Sequence, residues 1–421
     1  MTLIKTALRE PNDKGSYIFY FGQMRFIFLC IFLLSAVLLW TNPGQARELN
    51  GSVSAEARLF FNNPLYPDQE HNNGSIGLAP EYYHEWKNGS SFIFVPFLRL
   101  DSADSERTHF DIRELNILLL NDPWELRIGV GKVFWGVTEF VHLIDIINQT
   151  DLVENIRGED KLGQPMAHLS VPSGWGVFDF FVLPFFRERT FPGPEGRLRT
   201  ALVVDTDNPV YESSAEENHV DFALRYSHVF KFADIGLYYF KGTGRDPFYS
   251  PSAKPDGQPV LLPFYQLIDQ VGTDLQIVAG NWLWKLEALY QDNETKSFFS
   301  TTGGFEYTFI GIADSMMDMG LIAEFAYDDR GDAATTSFEK DVFFGLRVGV
   351  NDSAGTELLA GLSYDLDNKG NVLQIEASRR LSNNIKIFLE GWAFYNTEPG
   401  DYYLYSIRDD NFLRLQLFYY F

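Results

Sequence analysis

The chain has 421 residues, of which 45% are hydrophobic and 22% charged, and this composition excludes an intrinsically disordered chain and a bundle of transmembrane helices. Acidic residues outnumber basic residues by 57 to 34, and the net charge of −23 argues against a nucleic-acid-binding protein, which needs a concentrated basic surface. Aromatic residues reach 16%, and the single cysteine, Cys30, excludes a disulfide scaffold and a zinc site built from cysteines.

The first 46 residues have the pattern of a secretory leader. An uncharged apolar run, residues 26–39, follows Arg25 and precedes the small-x-small cleavage pattern that ends at Ala46. The run is too short for a transmembrane helix, which needs about 20 residues. We predict a leader over residues 1–46, with its signal peptide in 24–46 and cleavage after Ala46. Residues 47–421 are predicted to form one exported domain.

The remainder of the chain alternates with a period of two. Near its start, the apolar residues of 53–59 alternate with Ser52, Ser54, Glu56 and Arg58. Segments of about ten residues with one apolar and one charged face are typical of transmembrane barrel strands, although a soluble β-sandwich also alternates. We count about eighteen such segments, with sixteen as the alternative.

The connections between these segments decide between the two folds. Short turns, such as 87–90 and 121–123, alternate with longer polar connections, such as 186–217 and 241–266. Tight turns on one rim and long loops on the other are typical of an outer-membrane barrel, whereas a sandwich has no reason to sort its loops. The predicted fold is therefore all-β, a transmembrane antiparallel up-and-down β-barrel.

The connection at 134–165, between the fifth and sixth strands, is more apolar than a surface loop. Val141, Ile144 and Ile147 need burial, and a loop has no membrane face to bury them. We predict that this loop folds inward against the barrel wall, with a helical cap on the outer rim as the alternative. Its acidic residues are Glu139, Asp145, Asp151, Glu154, Glu159 and Asp160.

The phase of the alternation assigns charged side chains of both signs to the inner face. Such a wall should hold water, and sixteen to eighteen strands enclose a lumen wide enough for an aqueous channel. In the alternative interpretation, many of these side chains pair across strands and only support the wall. The candidate pore-wall residues are Arg58, Arg99, Arg127, Arg225, Lys285, Arg347, Lys386, Arg414, Glu306 and Glu324.

The last strand ends in alternating hydrophobic residues and a terminal aromatic. These residues are Leu413, Leu415, Leu417, Tyr419 and Phe421. The pattern resembles the terminal assembly signal of Gram-negative outer-membrane β-barrels, and the length and loop sorting are similar to those of porin-type barrels.

Several expectations about partners follow from this resemblance. It implies an outer-membrane location among lipid and lipopolysaccharide, recognition of the last strand by the barrel assembly machinery, and small solutes as the cargo. In general porins the loop after the fifth strand narrows the pore, so the resemblance makes 134–165 a candidate constriction loop. A homotrimer is implied by the same analogy.

The sequence favours a porin-like channel for passive or selective diffusion of small hydrophilic solutes. One alternative is a dedicated barrel for uptake or export of an oligosaccharide or organic acid, with an aromatic path over Trp392 and Phe394. Another is a structural, adhesion or enzymatic barrel without conductance. The seven histidines show neither metal-ligand spacing nor a catalytic motif. We therefore predict no enzymatic activity, no catalytic residues, no cofactor and no metal.

Overall fold

The structure is a computed structural model that describes residues 46–293, 296–336 and 338–421. The predicted leader over 1–46, apart from its last residue, lies outside the described residues. Twenty-two strands are described: β1 (Ala46–Phe60), β2 (Asn73–Glu85), β3 (Ser91–Asp101), β4 (His109–Asn121), β5 (Trp124–Gly131), β6 (Gln164–Ser173), β7 (Gly176–Leu183), β8 (Val203–Val204), β9 (Val210–Tyr211), β10 (Asp221–Val229), β11 (Ala233–Thr243), β12 (Phe248–Ala253), β13 (Pro259–Tyr265), β14 (Leu267–Ala279), β15 (Trp282–Asn293), β16 (Lys296–Phe309), β17 (Asp318–Asp328), β18 (Lys340–Gly349), β19 (Glu357–Asp365), β20 (Asn371–Arg380), β21 (Ile385–Tyr395) and β22 (Phe412–Tyr420).

Eighteen of these strands form one sheet that closes on itself. The barrel omits β8, β9, β12 and β13, and its strands pair with their neighbours around the circumference. The last strand, β22, returns to pair antiparallel with β1, with Glu56 opposite Gln416 and Arg58 opposite Arg414. The fold class is therefore the predicted antiparallel up-and-down barrel, and the strand number is eighteen rather than sixteen.

Alternation along each strand separates the two faces of the wall. On β18, Phe344 is 59% exposed whereas the preceding Phe343 is 1% exposed. On β15, Leu286 is 41% exposed and Glu287 is fully buried. Successive side chains of a strand point to opposite faces, so the exposed apolar residues form the outer surface and the buried polar residues point into the lumen.

The two rims differ in the length of their connections. One rim carries short turns, including 122–123, 174–175 and 280–281, and we call it the short-turn rim. The opposite rim carries connections such as 132–163 and 184–220, and we call it the long-loop rim. This sorting matches the sequence interpretation.

Two connections on the long-loop rim are short. One is the connection at 366–370. The other follows β15, which extends to Asn293, because β16 begins at Lys296 and the two strands pair up to those residues.

A second, small sheet and one α-helix lie on the long-loop rim. Strand β13 pairs antiparallel with β12 and parallel with both β8 and β9. The helix α1 (Tyr402–Ser406) is capped by Asp401, whose carboxylate accepts the backbone N–H of Leu404 at 3.0 Å. Within the described ranges, no helix is long and apolar enough to cross a membrane. Three 3₁₀ turns complete the elements: Glu216–Asn218, Ile312–Asp314 and Gly331–Ala333.

Candidate channel lumen and the loop bound within it

The apolar part of the connection between β5 and β6, residues 132–163, packs against the inner wall of the barrel. We call this segment the β5–β6 loop. Its residues Ile144 and Ile147 are fully buried, and they share one hydrophobic cluster with Trp135 of the loop and with Phe181 and Phe240 of the wall. Side chains at alternate positions of β7 and β11 therefore supply an apolar patch inside the lumen. The loop residues that required burial are covered by this patch.

A wall carboxylate fixes the first turn of the loop. Glu287 of β15 accepts the backbone N–H groups of Val137 at 2.7 Å and Thr138 at 3.0 Å. It also accepts the Thr138 hydroxyl at 2.7 Å and the backbone N–H of Ile144 at 3.3 Å. Glu287 is fully buried, and a buried carboxylate needs partners for its charge. This set of loop donors supplies them.

A second wall carboxylate repeats the arrangement two strands further around. Glu324 of β17 accepts the backbone N–H of Glu139 at 2.9 Å and that of Phe140 at 2.8 Å. The Glu139 side chain in turn pairs with Arg347 of β18 and lies 4.0 Å from Lys285 of β15. This side of the lumen therefore binds the loop through both its backbone and its charges.

The opposite side of the lumen holds the distal half of the loop. Glu154 receives three hydrogen bonds from Arg99 of β3, at 2.6 to 2.9 Å. Arg58 of β1 donates to the backbone carbonyl of Glu154 at 2.5 Å. Arg113 of β4 pairs with Asp151 at 2.6 Å. Strands on the two sides of the barrel are thus bridged by one loop.

A buried charge cluster lies where the first and last strands meet, and we call it the seam cluster. At its centre is Glu56 of β1, which pairs with Arg58 at 3.0 Å, Arg107 at 2.7 Å and Arg414 at 2.9 Å. Arg414 of β22 also reaches Glu390 of β21 at 2.9 Å. All five side chains are nine-tenths or more buried. The cluster therefore joins the first and last strands of the barrel, and Arg99 and Arg58 connect it to the β5–β6 loop.

The charges around Glu154 determine its protonation. Burial favours the neutral carboxyl, but the guanidinium groups of Arg99 and Arg107 outweigh burial and hold the pKa of Glu154 at about 2, below its ordinary 4.5. Burial also raises the pKa of Asp160, and the nearby carboxylate of Glu154 adds to this effect. Arg99 and Arg107 therefore hold Glu154 in its charged form.

The ion pair between Glu154 and Arg99 should make the stability of the folded protein depend on pH. Because its folded-state pKa is depressed, its contribution to stability is complete above pH 4.5 and is lost as the pH falls toward 2. Glu154→Gln is expected to lower the free energy of unfolding by about 3 kcal/mol at pH 7. The difference from wild type should shrink to about half or less at pH 3. Urea unfolding of the lipid-reconstituted protein at both pH values measures it, with exposed Glu357→Gln as the control. A difference that does not change with pH would contradict this assignment.

The other candidate residues take different positions. Arg225 pairs with Asp274 at 2.7 Å, and Lys285 and Arg347 both approach Glu306, at 4.0 and 3.4 Å. Within the loop, Asp145 pairs with Lys161 at 3.2 Å and Glu159 with Arg157 at 2.9 Å. Two predicted wall residues lie apart from the loop contacts described above. These are Arg127, opposite His168 of β6, and Lys386, opposite Arg380 of β20.

Two arginines important to the site were not among the candidates. Arg107 lies in the connection after β3, where alternation gives no phase. Arg113 lies where the register between β3 and β4 shifts at Val95 and Pro96, so the simple period of two fails there. For Arg113 the sequence does carry a signal, Pro96, because proline within a strand marks an irregularity in the strand pairing.

The residues of the predicted assembly signal lie on or beside the terminal strand. Leu415 and Leu417 are 43% and 44% exposed on its outer face, while the intervening Gln416 is buried. Tyr419 and the terminal Phe421 are also exposed, and the backbone of Phe421 pairs with Gly51 at 3.1 Å in both directions. The strand that carries the pattern is therefore the one that closes the barrel.

Comparison with known proteins gives likeness in structure only. No family model and no curated protein sequence matches the chain. A BenF-like porin from Pseudomonas fluorescens Pf-5 is 10% identical, with a TM-score of 0.51 over 90% of this chain and 98% of that one. A triple mutant of the Rhodopseudomonas blastica porin is 12% identical, with a TM-score of 0.41 over 89% of this chain and 100% of that one. The first likeness shows a shared barrel fold, and it does not identify a solute.

Proposed function

We propose that this protein is an outer-membrane channel through which small hydrophilic solutes diffuse. The observation that carries the proposal is the β5–β6 loop, which is bound to charged side chains on both sides of the lumen. Glu287 and Glu324 hold it on one side, and Arg99 holds it on the other. A loop fixed across a lumen with a charged wall is suited to narrowing an aqueous path.

The surfaces support a location in the outer membrane. Apolar side chains such as Leu286 and Phe344 form the outer face, and this face suits the hydrocarbon of a bilayer. We further propose that lipopolysaccharide surrounds the long-loop rim and that the assembly machinery recognises β22. A homotrimer is part of the same proposal.

Electrical recording tests the channel directly. The purified protein, inserted into planar bilayers, is expected to give discrete and reproducible conductance steps, and a mock preparation from cells that lack the gene should give none. Swelling of liposomes in solutes of differing charge would then measure selectivity. A correctly folded protein without conductance would overturn the proposal and favour a structural, adhesion or enzymatic barrel.

A further inference from the structure

A cavity of about 810 Å³ lies on the long-loop side of the β5–β6 loop. The loop contributes Phe140, Ile146 and Leu152 to its lining, and the rim connections contribute Phe191 and residues 333–336. Its size is within the range of sites that enclose a small organic molecule. The cavity therefore lies between the long-loop rim and the β5–β6 loop.

Aromatic rings from the loop, β18 and β21 line the cavity. Phe140 of the loop stacks on Phe343 of β18, with ring centroids 5.0 Å apart and planes within 9°. On β21, Trp392 and Phe394 lie 6.4 Å apart and nearly parallel. The indole N–H of Trp392 donates to Glu390 at 2.7 Å, and this bond sets the orientation of the ring. Fixed rings of this kind favour a flat, weakly polar partner.

Most of the charged side chains in the cavity wall are held in ion pairs. These pairs include Arg330 with Asp328 at 2.7 Å, Lys161 with Asp145 at 3.2 Å, Arg157 with Glu159 at 2.9 Å, and Arg189 with Asp246. A charged solute would lose its hydration here and would have to compete for partners that are already engaged. The wall therefore favours a neutral solute over an ion.

Neutral amide side chains accompany the rings. Gln374 of β20 lies directly opposite Trp392 in the strand register, and both line the cavity. Gln270 of β14 and Gln291 of β15 lie opposite each other and also line the cavity, and the Gln270 amide donates to the Tyr238 hydroxyl. An amide offers a donor and an acceptor without net charge, which suits hydroxyl groups. The ring and amide surfaces lie side by side on β20 and β21.

We propose that this cavity binds neutral solutes that combine an aromatic ring with hydroxyl groups, and that such solutes are the preferred cargo of the channel. This inference rests on the proposed function for its transport part, whereas binding to the cavity does not depend on conductance. Trp392 supplies the stacking surface, and Gln374 the hydrogen bonds to hydroxyl groups.

Three probe molecules test separately whether binding requires the aromatic ring, the hydroxyl groups and the absence of charge. Phenyl β-glucoside carries an aromatic ring, hydroxyl groups and no charge; glucose lacks the aromatic ring; benzoate has the ring and a negative charge. In planar bilayers, phenyl β-glucoside is expected to block the wild-type current at a concentration at least about tenfold lower than either of the others. Benzoate or glucose blocking equally well would overturn the inference.

Substitutions in the cavity wall test whether the block of the channel current arises from binding in the cavity. Trp392→Ala and Gln374→Leu should each raise the blocking concentration at least about fivefold, and Trp392→Phe should retain most of the block. Trp175→Ala, at an 81% exposed tryptophan on the short-turn rim, is the matched control and should leave the block unchanged. Unchanged block in both Trp392→Ala and Gln374→Leu would overturn the inference.

Calorimetry keeps the two proposals distinguishable. If the folded protein conducts but no probe blocks at low concentration, the channel stands and the binding site fails. If the protein does not conduct, the channel proposal fails, and titration of the detergent-solubilised protein with phenyl β-glucoside decides the binding site. Heat of binding that is lost in Gln374→Leu would support the site, and the absence of such heat in wild type would overturn it.

Discussion

Deletion of residues 140–160, with a short glycine-serine linker in their place, is expected to raise single-channel conductance at least about twofold. The deleted segment supplies the side chains that reach both sides of the lumen, including Ile144 and Glu154. The strands that carry the loop pair with each other up to Gly131 and Gln164, so the two bases of the loop stay adjacent. The barrel strands themselves keep their pairing, so the lumen should widen while the wall remains closed.

A second deletion provides the control for this experiment. Residues 254–257 lie in the turn between β12 and β13, which belong to the small sheet and not to the barrel wall. Their removal should leave conductance within the scatter of wild type. Both deletions are to be compared by circular dichroism, so that a misassembled barrel is recognised. Unchanged conductance in a correctly assembled 140–160 deletion would refute the role of the loop as the constriction.

Glu56→Gln is expected to be the most destabilising single substitution in the lumen. The buried carboxylate is shared by Arg58, Arg107 and Arg414, and it also pairs with Arg99. Its loss leaves these four guanidinium groups without their common partner. Breaking a buried ion pair by removing one member costs about 3–5 kcal/mol, and a shared carboxylate belongs at the upper end of that range. Urea unfolding of the protein in lipid bilayers measures the change.

Two further variants show whether the loss arises in the seam cluster. The exposed Glu125→Gln, on β5, should change the free energy of unfolding by no more than about 0.5 kcal/mol. Combining Glu56→Gln with Arg414→Met removes one of the stranded charges, so the double variant should be more stable than the sum of the two single losses predicts. Additive losses, or a Glu56→Gln protein as stable as wild type, would refute this description of the cluster.

The sequence was sufficient for the barrel because its information is local. Alternation in each segment shows which side chains share a face, as at Leu415 and Leu417, and the lengths of the connections identify the two rims. The same local reasoning required burial for Ile144 and Ile147. These inferences need no knowledge of which strands lie across the lumen from each other.

The partners across the lumen could not be predicted in the same way. That Glu287 would accept the N–H groups of Val137 and Thr138 depends on the position of β15 around the circumference, which alternation does not give. The small sheet was missed for a related reason, because β13 pairs with β8 and β9 across long sequence separations. Arg113 was missed because a register shift interrupted the period.

The seam cluster bears on how fast the barrel forms. Glu56 and Arg414 are separated by 358 positions in the sequence, yet they are bonded at 2.9 Å. Contacts between residues so far apart in sequence require most of the chain to be ordered first, and proteins rich in such contacts fold slowly. Until β22 pairs with β1, both strands expose unpaired backbone N–H and C=O groups, which can pair with strands of other chains. Protection of these edges during biogenesis is therefore a physical requirement of this architecture.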